Sequence, residues 1–229
     1  MANTAVATFS GRAILWNRLR GNGTEPKNIG WGDTVSGGTA ITGSASSDVN
    51  LFKAQTEART AGTSTIATTS FLGDTYSCSG SIVNLVAIKT ITEAGLFDTI
   101  TLSPRTTVAS SMTASATTVS LTAAIAGTPS TNRYYRQIEN EVVLVTAGQS
   151  TVIETIVRAQ LGSTSAVHSS LVTTAIGDDG GTATGGGTTG QTATVGASAG
   201  GALFVHADFT GIPLAISDSI NFSFLDQLT

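Results

Sequence analysis

Ser81–Asp98 reads SIVNLVAIKTITEAGLFD, and the rest of the chain is interpreted from this stretch outward. It is a long run of β-branched and apolar residues in which Gly95 interrupts an otherwise continuous strand pattern, the mark of a bulge or of a close backbone approach. A matching segment lies far downstream at Gly201–Leu225, GALFVHADFTGIPLAISDSINFSFL. There Leu203, Val205, Ala207 and Phe209 alternate with Phe204, His206 and Asp208, and then Ile220, Phe222 and Phe224 alternate with Asn221 and Ser223. A period of two is the signature of a half-buried strand. Both segments are therefore expected in one antiparallel sheet, and what lies between them reads as an inserted module.

With 229 residues the chain has room for one large β domain or two small ones. Only 11% of the residues are charged, against roughly a quarter in ordinary globular chains, so hydroxyls and small side chains must coat the surface. Low surface charge weakens the usual barrier to association, which suits a subunit that works packed against its neighbours; a Thr-rich secreted β protein is the plainer alternative. The net charge is -4, and no Lys or Arg follows Arg158 while Asp178, Asp179, Asp208, Asp218 and Asp226 remain. A chain that grips nucleic acid needs a basic patch to gather phosphates, so no nucleic-acid partner is expected. Cys78 is the single cysteine, which rules out an intrachain disulfide and a thiolate metal cluster within one chain. The start lacks a signal-peptide core before Arg12, and no run approaches the roughly 20 apolar residues of a membrane span. The expectation is synthesis in the cytoplasm, solubility until assembly and no membrane partner.

Ser10 is the expected N-cap of a short helix over Gly11–Arg20 that Gly21-Asn22-Gly23 terminates. Ile14, Leu15, Trp16 and Leu19 would dock it, leaving Arg12, Arg18 and Arg20 toward water or a partner. Gly30–Ser47 reads as a Gly/Ser-rich loop with Trp31 as a plug over the core edge. Asp48–Arg59 is left open between a helical turn and an irregular strand. Thr63–Ser81 alternates Thr with apolar residues and leads through Phe71, Tyr76 and Cys78 into the opening stretch. Pro104–Thr107 breaks the strand. Beyond it, Thr117–Leu121, a hairpin of Tyr134–Ile138 and Val142–Thr146 around Glu139-Asn140-Glu141, and Thr151–Val157 form strands. Gly177–Gly201 is of low complexity and buries too little apolar surface to offset its own ordering entropy; it is a return linker or a strap held by neighbours.

Residues that could carry chemistry are sparse. Gly185–Thr192 has the spacing of a phosphate loop, but Gln191 replaces the lysine whose charge the outer phosphates require, and neither a preceding strand nor a following helix is in place. His168 and His206, the two histidines, stand far apart with no HExxH spacing; His206 reads as a surface or subunit-contact residue and His168 as a loop brace. No G-x-S-x-G turn offers a nucleophilic serine. Asp178-Asp179 beside Gly180-Gly181 lacks the spaced ligands of a calcium loop and reads as a polar turn. Glu139, Glu141 and Glu154 could pair for glycoside hydrolysis, though the first two fall at a hairpin turn where acids are ordinary. No catalytic, cofactor-binding or metal-ligating residue is expected, and no cofactor.

ITEAGLFD, GALFVHADF and the terminal DSINFSFLDQLT together resemble structural proteins of tailed bacteriophage particles. In those a short turn joins the GLFD strand to the LFxxAxF strand, and the chain ends soon after a D-S-I-x-F strand. Phe9–Leu19 followed by Gly23–Gly32 is similar to the opening of the same family. Val157–His168 is similar to an R-x-x-L-G-T-x-x-x-x-H stretch that closes a small β module, with Ser163 in place of Thr. The resemblance favours an extended arm over Asp48–Arg59. Taken with the strand pattern, it leads to a mainly β fold: an antiparallel β-sandwich or jelly-roll-like core from residues 1–103 plus 200–229, one short N-terminal helix, a small β module inserted at 104–178, and a linker or strap at 179–199. The function it implies is that of a non-enzymatic virion structural protein, a homo-oligomer and most simply a trimer. Such a protein would decorate or cement the capsid exterior through the major capsid protein or other virion subunits. The alternative is a neck, tail or baseplate fibre or adaptor that meets the host surface.

Overall fold

The protein is represented by a computed structural model that describes residues 4–33, 35–36, 39–40, 43–125, 133–148, 151–177, 185–186, 192–193 and 200–227. Its elements in chain order are β1 (Thr4–Ala7), α1 (Phe9–Leu19), β2 (Asn28–Gly32), β3 (Val35–Ser36), β4 (Thr39–Ala40), β5 (Thr60–Ala61), β6 (Thr63–Ala67), β7 (Thr75–Val83) and β8 (Lys89–Phe97). There follow β9 (Arg105–Thr107), β10 (Thr118–Ser120), β11 (Tyr134–Ile138), β12 (Glu141–Ala147), β13 (Ile153–Val157), a 3-10 turn (Gln160–Gly162), β14 (Thr173–Gly177), β15 (Gly185–Gly186), β16 (Thr192–Ala193), β17 (Leu203–Leu214) and β18 (Ser219–Gln227). The fold is mainly β, with antiparallel sheets and one α-helix, as the strand patterns require.

A five-stranded sheet, β1-β17-β8-β2-β5, faces a three-stranded sheet, β18-β7-β6. The ladder at the centre of the first is the long-range one expected: Leu203 pairs with Phe97, His206 with Gly95, Asp208 with Glu93 and Leu214 with Lys89. Two features differ from expectation. Ile220–Phe224 is not in this sheet. The chain turns at Ala215–Asp218 and β18 pairs with β7 in the opposite layer, Phe222 opposite Gly80 and Phe224 opposite Cys78. Ser81–Asp98 is likewise two strands, because the Asn84 side chain holds a turn between them by donating to the carbonyls of Ala87, Leu214 and Ala215. Gly95 marks a close approach, not a bulge: a Cβ there would sit 2.7 Å from Leu203 Cδ1 and 2.9 Å from the Val205 carbonyl. The register shifts lie on β17, between Leu203 and Val205 and between Asp208 and Ile212.

Ile29, Trp31, Cys78, Ile82, Ile91, Ala94, Leu96, Val205 and Phe224 fill the space between the two sheets, each large apolar side chain contributing about 1.5–3 kcal/mol by leaving water. Trp31 is therefore a core residue on β2 and not a loop plug. α1 lies against β17, but its cap is the Thr8 side chain, which accepts from the Gly11 amide, rather than Ser10. Only Ser10, Gly11 and Ile14 of the helix are buried. Trp16 and Leu19, expected to dock it, are 67% and 77% exposed. The helix is seated by its first turn, where small residues let it approach the β17 backbone, so its second half extends past the sheet.

The opposite face of the five-stranded sheet is also covered. Residues 43–55 form an irregular arm with one isolated bridge, Ala54 to Gly32. Leu51 packs with Phe97 and Leu203, and Val49 packs with Tyr135, Val142 and Leu144 of β11 and β12. Ile91–Phe97 is consequently buried along its whole length. Strands β9 to β14 make a separate six-stranded sheet, β10-β13-β12-β11-β14-β9, with its own core of Val108, Val119, Leu121, Tyr134, Ile138, Val143, Val145 and Ile156. Arg105–Thr107 does not simply break structure: it is the edge strand of this sheet, paired with β14. The chain leaves and rejoins the sandwich at adjacent points, where Arg59 stacks 3.3 Å from the Phe97 ring centroid and donates to the carbonyls of Thr99 and Gly200. Within 179–199 only Gly185–Gly186 and Thr192–Ala193 are described, as a two-residue ladder. The rest of that segment, with Asp178-Asp179 and most of the phosphate-loop-like stretch, lies outside the described residues.

Candidate functional site

His206 overturns its reading as a surface residue. It is fully buried, because the polar face of β17 is the one the arm covers. Its ring lies edge-on to Phe52, centroids 4.6 Å apart. Nδ1 donates to Asp48 Oδ2 at 2.7 Å and Nε2 to Glu93 Oε2 at 2.9 Å. Glu93 in turn accepts from the amides of Phe52 and Lys53 at 2.9 and 2.7 Å. Gly32 makes room for this carboxylate, since a Cβ there would collide with Glu93 Oε1 and the Lys53 carbonyl. Asp48 also accepts from the Ala45 amide and from Gln137 Nε2 of β11. Burial disfavours the charged imidazole, but the two carboxylates overcome it and push its pKa up to about 10. A buried cation between two anions thus fastens the arm to both β8 and β17.

The inserted module has a second clamp. His168 Nδ1 meets Glu139 Oε2 at 2.6 Å and Nε2 meets Glu141 Oε2 at 2.8 Å. Glu141, fully buried, also receives Arg158 Nε at 2.7 Å and Nη2 at 2.5 Å, and the amides of Ala159 and Ala166, both at 3.1 Å. Burial alone would raise this carboxyl; the bonds from Arg158, His168, Ala166 and Ala159 outweigh it and hold the pKa down to about 2. Ser163 closes the arrangement, its Oγ accepting from the Val142 amide at 3.0 Å. The stretch from Arg158 to His168 therefore wraps around Glu141. His168 does brace a loop; what the sequence left hidden is that Glu141 is the centre of it. Strand alternation would have placed Glu141 at the start of β12, but nothing local announced five donors on four residues returning from Arg158–His168.

Glu154 is equally committed. It forms a bidentate pair with Arg136, at 2.6 and 2.9 Å, and accepts from the Tyr134 hydroxyl at 2.5 Å, with both charged side chains essentially inaccessible. Glu139, Glu141 and Glu154 thus lie in internal ion pairs. Among the described residues no group of three or more His, Cys, Asp or Glu is arranged to hold a metal ion, and no helix there is long and apolar enough to cross a membrane.

Groups facing outward are of the other kind. Leu15, Trp16 and Leu19, with Arg12 and Arg18, line a surface groove of about 550 Å³. It adjoins a hollow of about 310 Å³ that includes Leu15, Arg18, Ile66, Gly73, Tyr76 and Asp226, beside the exposed Phe71 and Leu72. At the far end of β7, Leu85, Val86, Ile88 and Ile216 are all exposed as well. A third opening, about 490 Å³ between the two sheets at β1, β17 and β18, is lined by Ala5, Val205, Ala207, Phe209, Phe222 and Phe224. Exposed single apolar residues are ordinary, but clusters mark contact surfaces. Comparison of this chain with protein-family models, with curated proteins and with solved structures finds no match.

Proposed function

We propose that this chain is a non-enzymatic structural subunit of a tailed-bacteriophage virion that acts by contact, in the first instance as a decoration or cement protein on the capsid exterior. The sequence resemblance suggests the class. The observation that carries the contact mechanism is the disposition of side chains: His168, His206, Glu93, Glu141 and Glu154 are turned inward into ion pairs, His206 with Glu93, His168 and Arg158 with Glu141, and Arg136 with Glu154, while large apolar side chains cluster outward at both ends of β7. A surface with few charges and clustered apolar groups favours burial against neighbouring subunits. A subunit that binds only the assembled shell stabilises it by linkage.

Densitometry of purified particles tests the reading. A cement protein is expected in hundreds of copies per particle by repetition over the shell. A few to a few tens would assign the chain to the neck, tail or baseplate, and its absence from purified particles would sink the virion reading altogether.

A further inference from the structure

We propose that the outer edge of β18 is a docking slot for one extended, uncharged segment of a neighbouring subunit, which joins the three-stranded sheet as a fourth strand. The inference deepens the contact-based reading above and rests on it for the donor being a neighbouring subunit. The two layers of the sandwich are unequal, five strands against three. The surplus falls at β18. Beyond its edge, Ala5 of β1 with Ala207 and Phe209 of β17 roof an opening of about 490 Å³ whose other wall is β18 from Ile220 to Leu225. Every residue lining this opening is uncharged.

The backbone specifies a strand as the occupant. Among the described residues β18 pairs with β7 alone. The Asn84 amide donates to the Asp218 carbonyl, and in an antiparallel ladder the bonded positions recur at every second residue. Ile220, Phe222 and Phe224 therefore direct their amides and carbonyls at β7, whereas Ser219, Asn221, Ser223 and Leu225 direct theirs out of the sheet. Proteins ordinarily blunt such an edge with proline, lysine, a bulge or brevity. β18 has none of these: its nine residues run in unbroken register with β7 and include no Pro, Lys or Arg. Its one charge, Asp226, lies past the opening, in the hollow beside α1.

A purely apolar groove accepts many shapes, but a groove with free amides and carbonyls along one wall accepts a β-strand. Side chains of that strand opposite Ile220, Phe222 and Phe224 would enter the opening, so the segment carries apolar residues at alternate positions and no charge among them. The overhang excludes a second copy's β18 as the occupant. Two identical antiparallel edges are related by a two-fold axis perpendicular to the sheet, which would place both five-stranded sheets on the same side, where their projecting β1 strands would collide. A lone extended arm, with no second layer of its own, fits beneath β1.

The probe is an acetylated peptide with the sequence of Ser219–Leu225, which has the required alternation and no overhanging sheet, on a Gly-Lys-Lys tail for solubility. Titrated into the full-length protein, it is expected to bind saturably and to slow hydrogen exchange at the amides of Asn221, Ser223 and Leu225 by at least about tenfold. Phe222 and Phe224, already bonded to β7, should change little. A peptide of the same composition with its apolar residues run together should bind at least about tenfold more weakly. Ser223→Pro and Asn221→Pro each remove a donor that β7 does not use and should weaken the first peptide by as much; circular dichroism and the thermal midpoint verify that each folds as the parent does. The exchange pattern of the parent decides the matter without them. Protection at other amides, equal binding of the two peptides, or undiminished binding by a folded proline variant would overturn the slot. Self-association of the parent that the proline variants abolish would also overturn it, by assigning the edge to a second copy. Copy number on particles is read separately, so each of these results leaves the virion reading standing or falling on its own measurement.

Discussion

The sandwich and the inserted module solve the same problem with different reach in sequence. Each buries a histidine between two carboxylates. In the sandwich the partners of His206 are Asp48 and Glu93, separated from it by 158 and 113 residues. In the module the partners of His168 are Glu139 and Glu141, 29 and 27 residues away. Glu141 also has a permanent cation in Arg158, whereas the cation that Asp48 and Glu93 share is His206, which alkali can discharge. The module can complete its clamp from its own residues. The sandwich completes its clamp only when the arm, β8 and β17 have come together, so the same chemistry serves as a late, long-range lock in one region and as local bracing in the other.

His206→Ala breaks this comparison most severely. It strands Asp48 and Glu93 in the interior, and uncompensated buried charge costs about 3–5 kcal/mol. His168→Ala is expected to cost about 1–3 kcal/mol, the penalty for lost hydrogen bonds to a group that keeps its arginine. Urea unfolding followed by tryptophan and tyrosine signals separates the regions in a Tyr76→Phe background, since Trp16, Trp31 and Tyr76 belong to the sandwich while Tyr134 and Tyr135 belong to the module. Equal losses in both variants would erase the distinction.

The long ladder of β8 with β17 was legible because β17 carries a strong period-two pattern and β8 a long run of β-branched and apolar residues, and the module hairpin because Glu139-Asn140 is a short polar turn between apolar runs. His206 was misjudged for a physical reason. Its face of β17 looks polar and hence solvated, but the cover comes from an arm with neither a helical nor a strand period, and an irregular segment leaves no signal of the surface it buries. Trp16 and Leu19 erred in the opposite direction: helical apolar residues read as a docking face, yet Ser10, Gly11 and Ile14 suffice to seat the helix. The order of β18 was missed because alternation identifies a strand but not the sheet it joins.

Removing residues 104–178 and joining Ser103 to Asp179 through a Gly-Asn turn should leave a folded sandwich, because Ser103 already lies against Gly200 and the retained residues 179–199 give the new connection ample length. The arm would lose its outer cover, Tyr135, Val142 and Leu144 over Val49, the two bonds to Gln137, and the two bonds from Arg105 to the carbonyls of Ala54 and Gln55. A loss of about 3–5 kcal/mol follows from one exposed valine and four broken hydrogen bonds. An unfolded, aggregating product would show that the sandwich depends on the module for more than this contact.

Alkali should then distinguish the two clamps. His206 has a folded pKa of about 10 against an ordinary 6.5, so its contribution is complete below about pH 6.5 and is lost as the pH rises through about 10. His168 is raised too, but when it loses its proton Glu141 retains Arg158. Tryptophan emission should therefore report loosening of the sandwich before any change in the module tyrosines' near-ultraviolet dichroism. Acid gives no such order. Glu141, lowered to about 2, contributes fully above about 4.5 and loses its contribution as the pH falls through about 2, and Asp208 in the sandwich is also held below its ordinary value, by Ser44 and Gly43 against the cost of burial.

The smallest expected effect lies at Ser163, where the resembling motif has Thr. The hydroxyl accepts from the Val142 amide and donates back to the Val142 carbonyl, and threonine carries the same hydroxyl. Ser163→Thr should change stability by less than about 0.5 kcal/mol. Ser163→Ala leaves the Val142 amide without its acceptor and should cost about 1 kcal/mol, confined to the module and visible as faster hydrogen exchange at Val142 with no change in the sandwich. If the alanine variant instead loosened the arm around Val49, the two regions would be coupled through β12, and the local character assigned to the module clamp would be wrong.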